Sequence, residues 1–334
     1  MATIRLILFM SLVLATPCAA QHVVERYDKV DGFLRIGLEP ERQIPMTERG
    51  HSLLLPSDSR TTVVGVVVFI DPRRFQSPPL QLEPGSFDAE ALDRNMAVLH
   101  ITTGNPLDFL FEEREVVHLV DRIGSVLAGA GLTRAPVFLA GLSLGGTRAL
   151  RVAAYVNAHP SAVPFRLAAV AIVDAPLDMT RLWETERRAA NLGFHPAAAD
   201  EGRWVTYLLE AHLGGTPAAA AARYAAYSPF SHASPDGGNA TYLSDVPIRA
   251  YHEPDVDWWI ENRRKSYYDM NSIDLAALIN QLRILGNEHA ELVSSHAMRA
   301  GYRDGASPHT WSFVDNRELV EWFLVHASRA ARSD

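Results

Sequence analysis

The stretch that decides the fold is Pro136-Val137-Phe138-Leu139-Ala140-Gly141-Leu142-Ser143-Leu144-Gly145-Gly146. Pro136 to Ala140 is an uninterrupted apolar strand, and it runs straight into a G-x-S-x-G turn at Gly141 to Gly145. An alanine-rich helix, Gly146 to Asn157, runs straight out. A serine on so sharp a strand-to-helix turn is held in a strained backbone conformation with its hydroxyl exposed. Glycine is expected at 141 and 145 because side chains there would collide across the turn, and Gly146 gives the helix room to approach the sheet. The turn lifts the Ser143 hydroxyl above the carboxyl ends of the strands, where open α/β sheets bind ligands. It also sets a helix N-terminus beneath the hydroxyl, with the Leu144 N–H aimed at a developing oxyanion. The plain alternative is a glycine-rich turn carrying an incidental serine.

Working outward, Val63 to Ile70, Met96 to Thr103 and Leu167 to Val173 are further apolar, β-branched runs. Val116, Leu119, Val120, Ile123, Val126 and Leu127 recur at helical spacing between them, with Gly131 as a stop. Fully apolar strands alternating with amphipathic helices indicate an α/β fold, a mostly parallel sheet flanked by helices on both faces. Val24 to Leu54 suits edge strands and turns. From 179 to 244 the alternation lapses, and Arg181 to Asn191, Arg203 to His212 and Pro217 to Ala226 read as a small helical, cap-like insert. Val246 to Tyr251 then forms the penultimate strand, followed by helix Ser272 to Leu285, a last strand Glu291 to Ser295 and a closing helix Glu318 to Ala330.

A serine hydroxyl needs a base, and the base needs a carboxylate to fix its tautomer. After a nucleophile on such an elbow, the acid and then the histidine follow in chain order. Of thirteen histidines, His309 is the expected base, standing in the loop between the last strand and the closing helix. His296, directly after that strand, is its rival. His289 precedes the strand and points to the wrong end of the sheet, and His326 lies inside the closing helix. The acid is expected after Val246 to Tyr251, where Asp255 follows the proline that ends the strand, with Asp257 as alternate. A second oxyanion donor is expected after Ile70; Pro72 has no N–H, so it is Asp71 or, alternatively, Arg73. Trp258, Trp259 and Trp311 wall an acyl pocket or simply pack in the core.

The chain has 334 residues, 48% of them hydrophobic, and a formal net charge of −8. It lacks the basic stripe of a nucleic-acid binder. Met1 to Ala20 has the charged start, short apolar run and small-residue end of a secretory signal peptide. Pro17 directly before Cys18 argues against lipidation there. Cleavage after Ala20 removes the only cysteine and so excludes thiol chemistry and cysteine metal sites from the mature chain, residues 21–334, read as one domain. No later segment reads as membrane-spanning, and neither cofactor nor metal is expected. The expected location is secreted or periplasmic.

The elbow Gly-Leu-Ser-Leu-Gly-Gly, the late acid and the last histidine resemble the α/β-hydrolase superfamily, from Thr61 to the closing helix. Thr103 to Phe109 and Ser307 to Ser312 are similar to segments of exported bacterial serine hydrolases of uncertain substrate. The resemblance implies the α/β-hydrolase fold, a Ser143 acyl-enzyme and a cofactor-free site. Many esterases of this kind carry His-Gly where this chain has Asp71-Pro72. The favoured reading is a carboxylesterase-like enzyme acting on a small-molecule or polymer ester. The alternatives are a prolyl-oligopeptidase-like serine peptidase, whose usual extra domain the residues before Thr61 cannot form, and a catalytically silent binding protein.

Overall fold

Runs of β-branched residues and amphipathic helices alternate through the computed structural model, which describes residues 21–57, 62–70, 82–295 and 307–330. In chain order the elements are β1 (Gln21–Lys29), β2 (Phe33–Arg35), β3 (Gln43–Pro45), β4 (Glu48–Leu55), β5 (Gly65–Ile70), α1 (Phe87–Leu92), β6 (Met96–Thr102), α2 (Glu113–Gly129), β7 (Val137–Leu142) and α3 (Leu144–Ala158). There follow β8 (Leu167–Val173), α4 (Met179–Leu192), α5 (Pro196–Leu213), α6 (Pro217–Tyr227), β9 (Ile248–His252), α7 (Val256–Arg263), α8 (Ser272–Ile284), β10 (Ala290–Ser294) and α9 (Asn316–Ala330).

Eight strands form one sheet in the order β1-β4-β6-β5-β7-β8-β9-β10, and β2 and β3 form a separate hairpin. From β6 to β10 all neighbours are parallel; β4 joins β6, and β1 joins β4, antiparallel. The antiparallel pair is the Val24 to Leu54 region expected at the edge. The path steps from β5 outward to β6 and then returns past β5 to β7. The connections therefore diverge between β5 and β7, and a crevice opens at their carboxyl ends. Ile70 and Ser143 stand on its two sides.

Side-chain alternation along the strands feeds two cores. Val66, Val68, Leu99, Val137, Leu139, Val170 and Ile172 pack with Leu119, Ile123 and Leu127 of α2 and with Leu275 and Leu278 of α8. Val67, Val98, Phe138 and Val173 face the opposite way, onto Phe87 of α1 and Leu319, Val320 and Phe323 of α9. Both faces are dry, so the strands contain few polar residues and read as continuous apolar runs.

Between β8 and β9, α4, α5 and α6 form a third cluster around Met179, Trp183, Val205, Leu209 and Tyr224. Trp183 Nε1 donates to Glu210 Oε1 at 2.8 Å, joining α4 to α5. The Tyr227 hydroxyl donates to the Phe109 carbonyl, fastening α6 to the segment after β6. A short helix not expected from the sequence, α7, occupies the residues directly after β9.

Candidate active site

Ser143 separates β7 from α3 and has φ 56° and ψ −130°, a conformation that costs a non-glycine residue about 1–3 kcal/mol. Surrounding hydrogen bonds hold it there. Its N–H donates to the Val173 carbonyl at 2.9 Å, and its own carbonyl accepts from Gly146 N at 2.9 Å and Thr147 N at 3.2 Å. The strain is thus anchored to the end of β8 on one side and to α3 on the other.

The glycines of the turn divide in a way the sequence did not show. A Cβ on Gly141 would lie 2.3 Å from the Gly145 carbonyl carbon, and one on Gly146 2.7 Å from Ala175 Cβ. Both positions require glycine. A Cβ on Gly145 would meet nothing nearer than the Ile70 carbonyl oxygen at 3.8 Å, an ordinary contact. The expected collision at 145 does not occur, because the space a Cβ would enter there is open.

The carboxylate on His309 belongs to Asp174. Its Oδ2 lies 2.5 Å from His309 Nδ1, and Asp174 is the residue directly after β8, the strand beside β7. Asp174 also has positive φ, 41°, with its N–H on the Tyr251 carbonyl at 2.9 Å and its carbonyl on Asn271 Nδ2 at 2.9 Å. The expectation of Asp255 or Asp257 is corrected by this geometry. Asp255 caps α7, accepting from Trp258 N at 3.0 Å, and Asp257 lies in the exposed first turn of that helix. An aspartate that begins a helix spends its side chain on the helix's free N–H groups. In the sequence, Asp174 had registered only as the stop of a strand.

Among the rival histidines, His289 sits at the amino end of β10, its carbonyl accepting from Ile248 N, and packs against His326 with ring centroids 5.5 Å apart. Both are at the opposite end of the sheet from Ser143. His296, Asp71 and Arg73 lie outside the described residues, as does the proposed leader.

Ser143, Leu144 and His309 line one cavity of about 630 Å³, with Ile70, Gly145 and Trp311 beside them. Leu144 and Gly145, the first two residues of α3, line this space, and the N–H groups at the start of a helix lack intrahelical acceptors. Trp311 and Trp259 line the cavity, whereas Trp258 does not; Trp311 meets Phe69 and Phe87 edge-on at 5.5 and 6.0 Å. Burial pulls the His309 pKa down, but the charge and hydrogen bond of Asp174, helped by the charge of Glu201, outweigh it and carry the pKa above the ordinary value. The arrangement can hold an imidazole with Nδ1 fixed on a carboxylate and Nε2 free to take a proton.

A buried network behind Asp174 was also missed. Asp274, fully buried, accepts from Arg181 Nε at 2.6 Å, Leu177 N at 3.0 Å and Asp178 N at 3.2 Å, and pairs with His232 Nε2 at 3.0 Å. It pins the segment that follows Asp174 to α8. Among the described residues no cluster of three or more metal-ligating side chains occurs, and no helix is long and apolar enough to cross a membrane.

No protein family's sequence profile matches the chain, and no curated protein matches it by sequence. Solved structures do resemble it. The acylaminoacyl peptidase of Pyrococcus horikoshii aligns over 91% of this chain with TM-score 0.54 and 13% identity. The chain spans only 40% of that enzyme's length. Brefeldin A esterase, a bacterial homologue of human hormone-sensitive lipase, aligns over 98% of this chain and 81% of its own, with TM-score 0.51 and 13% identity. The S-formylglutathione hydrolase of Agrobacterium tumefaciens aligns over 93% and 97%, with TM-score 0.51 and 11% identity. With the sheet order, the elbow and these likenesses together, the chain has the α/β-hydrolase fold.

Proposed function

We propose that the protein is a serine hydrolase that cleaves a carboxylic ester through an acyl-enzyme on Ser143. The observation that carries this reading is the 2.5 Å contact between His309 Nδ1 and Asp174 Oδ2 in the same cavity as a serine on a strained elbow. In the first step His309 Nε2 takes the Ser143 proton as Oγ bonds to the substrate carbonyl carbon. The carbonyl π electrons move to oxygen, where the Leu144 N–H and a second donor following Ile70, Asp71 or Arg73, stabilise the charge. The imidazolium, balanced by Asp174, returns its proton to the departing alkoxide. Water then repeats the sequence on the acyl-enzyme and releases the acid.

An ester is favoured over an amide because its leaving group needs less protonation to depart. The neighbours in fold are named as an esterase, a hydrolase and a peptidase, in keeping with this chemistry. The same proposal takes the leader-like residues 1–20 as an export signal and residues 179–244 as an insert over the site. The test is hydrolysis of chromogenic esters beside matched peptide amides by wild type and Ser143→Ala. Ester turnover that falls by about six orders of magnitude in the variant is expected. Undiminished turnover by Ser143→Ala would refute the assignment.

A further inference from the structure

The segment Thr103 to Phe109, singled out in the sequence, forms a rigid lip of the cavity. Asp108 Oδ1 accepts from Leu110 N at 2.8 Å, and its Oδ2 accepts from the Thr103 hydroxyl. Asn105 Oδ1 accepts from Leu107 N at 3.0 Å. From α3, Arg148 Nη1 donates to the Asp108 carbonyl at 2.9 Å and Arg151 Nε to the Leu110 carbonyl at 3.1 Å. A loop tied through side chains and main chain alike holds what it carries in place. This one carries Leu107 and Phe109 to the cavity wall.

Leu107 is one of four. Leu144 at the start of α3, Leu182 of α4 and Trp204 of α5 line the same cavity. All four pack against the cluster around Met179, Val205 and Leu209, and all four keep part of their surface exposed. α4 and α5 touch backbone to backbone, for a Cβ on Gly202 would stand 2.2 Å from the Glu186 carbonyl oxygen. Leu182 lies one turn before Glu186 and Trp204 one turn after Glu201, so the apolar pair sits farther from the α4–α5 bend than the acidic pair. Four elements thus converge on one apolar wall, the usual construction of a ligand site. A second apolar wall is separate: Phe69, Phe87 and Trp311 line the cavity but pack with the core on the α1 and α9 face. Trp311 is two residues from His309, which puts that wall on the side of the base. A leaving group must lie within reach of His309 Nε2 to receive its proton. The other wall, which begins at the residue after Ser143, is left for the acyl chain.

We propose that Leu107, Leu144, Leu182 and Trp204 form an acyl pocket for an aliphatic chain of several carbons, making esters of such acids, rather than acetyl esters, the preferred class. Leu107, on the tied loop, sets how much chain the pocket admits and takes no part in the chemistry. The proposal rests on Ser143 being the nucleophile.

The test is the ratio of kcat/KM for the hexanoyl and acetyl esters of one chromogenic alcohol. Wild type is expected to favour the hexanoyl ester by about 10-fold or more, within what burial of the added methylenes supplies. Leu107→Trp fills the pocket and should bring the two esters level. Leu182→Trp fills it from another element, should do the same, and serves in its place should the first variant not fold. Both esters are measured on one preparation, so the ratio is independent of the amount folded and of any shared loss at His309. Equal wild-type values, a preference that survives the substitution, or one found only when the added carbons are on the alcohol would overturn the pocket and leave the serine assignment intact. Hydrolysis of both esters by Ser143→Ala at the wild-type rate would overturn the serine assignment and the pocket with it.

Discussion

The floor of the cavity is made by backbone, whereas its roof is made by side-chain charge. On the floor, Ser143 and Asp174 occupy positive-φ positions at the ends of adjacent strands, fixed by main-chain hydrogen bonds in a dry sheet. On the roof, α4, α5, the end of α7 and the residues after it supply Glu186, Glu201, Arg263 and Lys265. Backbone in a packed sheet holds atoms to a fraction of an ångström, which is what bond-making needs. Long charged side chains on surface helices adjust more readily. The difference teaches that the two walls should respond to substitution differently, the floor through backbone strain and packing, the roof through charge.

That separation can be broken or sharpened by substitution. The largest loss of stability is expected where floor and roof are tied together: Asp274→Ala strands Arg181 and two amide N–H groups in the interior and should cost about 3–5 kcal/mol, read as a lowered denaturant midpoint. Gly141→Ala strikes the floor alone. Its Cβ would be driven against the Gly145 backbone, and a cost of about 3 kcal/mol or more is expected from such overpacking, visible as a fall in Tm.

A smaller, reversible effect concerns the base. In the proposed mechanism His309 must be neutral to accept the Ser143 proton, and Asp174 with Glu201 raises its pKa above the ordinary 6.5. Activity should therefore rise with pH through a midpoint above that value and be lost below it, as a profile of kcat/KM would show. Removing the Glu201 charge should move the midpoint downward. The smallest effect is at Gly145, where alanine has space; Gly145→Ala should change stability by within about 0.5 kcal/mol, the scale of a substitution that disturbs nothing.

The strands and helices of the floor were legible because each is long, periodic and apolar. Leu167 to Val173 was read with both of its ends correct, and the elbow was read from its glycines. Asp174 was not legible as an acid, since a strand end followed by Asp-Ala-Pro looks like simple punctuation, and its role depends on which strand lies beside β7 in space. Asp255 misled for a local reason: α7 is short and its Trp258-Trp259 pair disguises the helix that Asp255 caps. The roof was legible as helices between 179 and 244, but not as a charged wall. Glu186 and Glu201 are 15 positions apart, and only the close approach at Gly202 brings them together.

The most direct measurement is kcat/KM on one ester substrate for Asp174→Asn beside Asp255→Asn. If the imidazole of His309 is oriented by the strand next to the nucleophile, Asp174→Asn falls by about 10⁴-fold and Asp255→Asn, having lost only a helix cap, stays within a few-fold of wild type. The reverse pattern, with Asp255→Asn inactive and Asp174→Asn unimpaired, would contradict it.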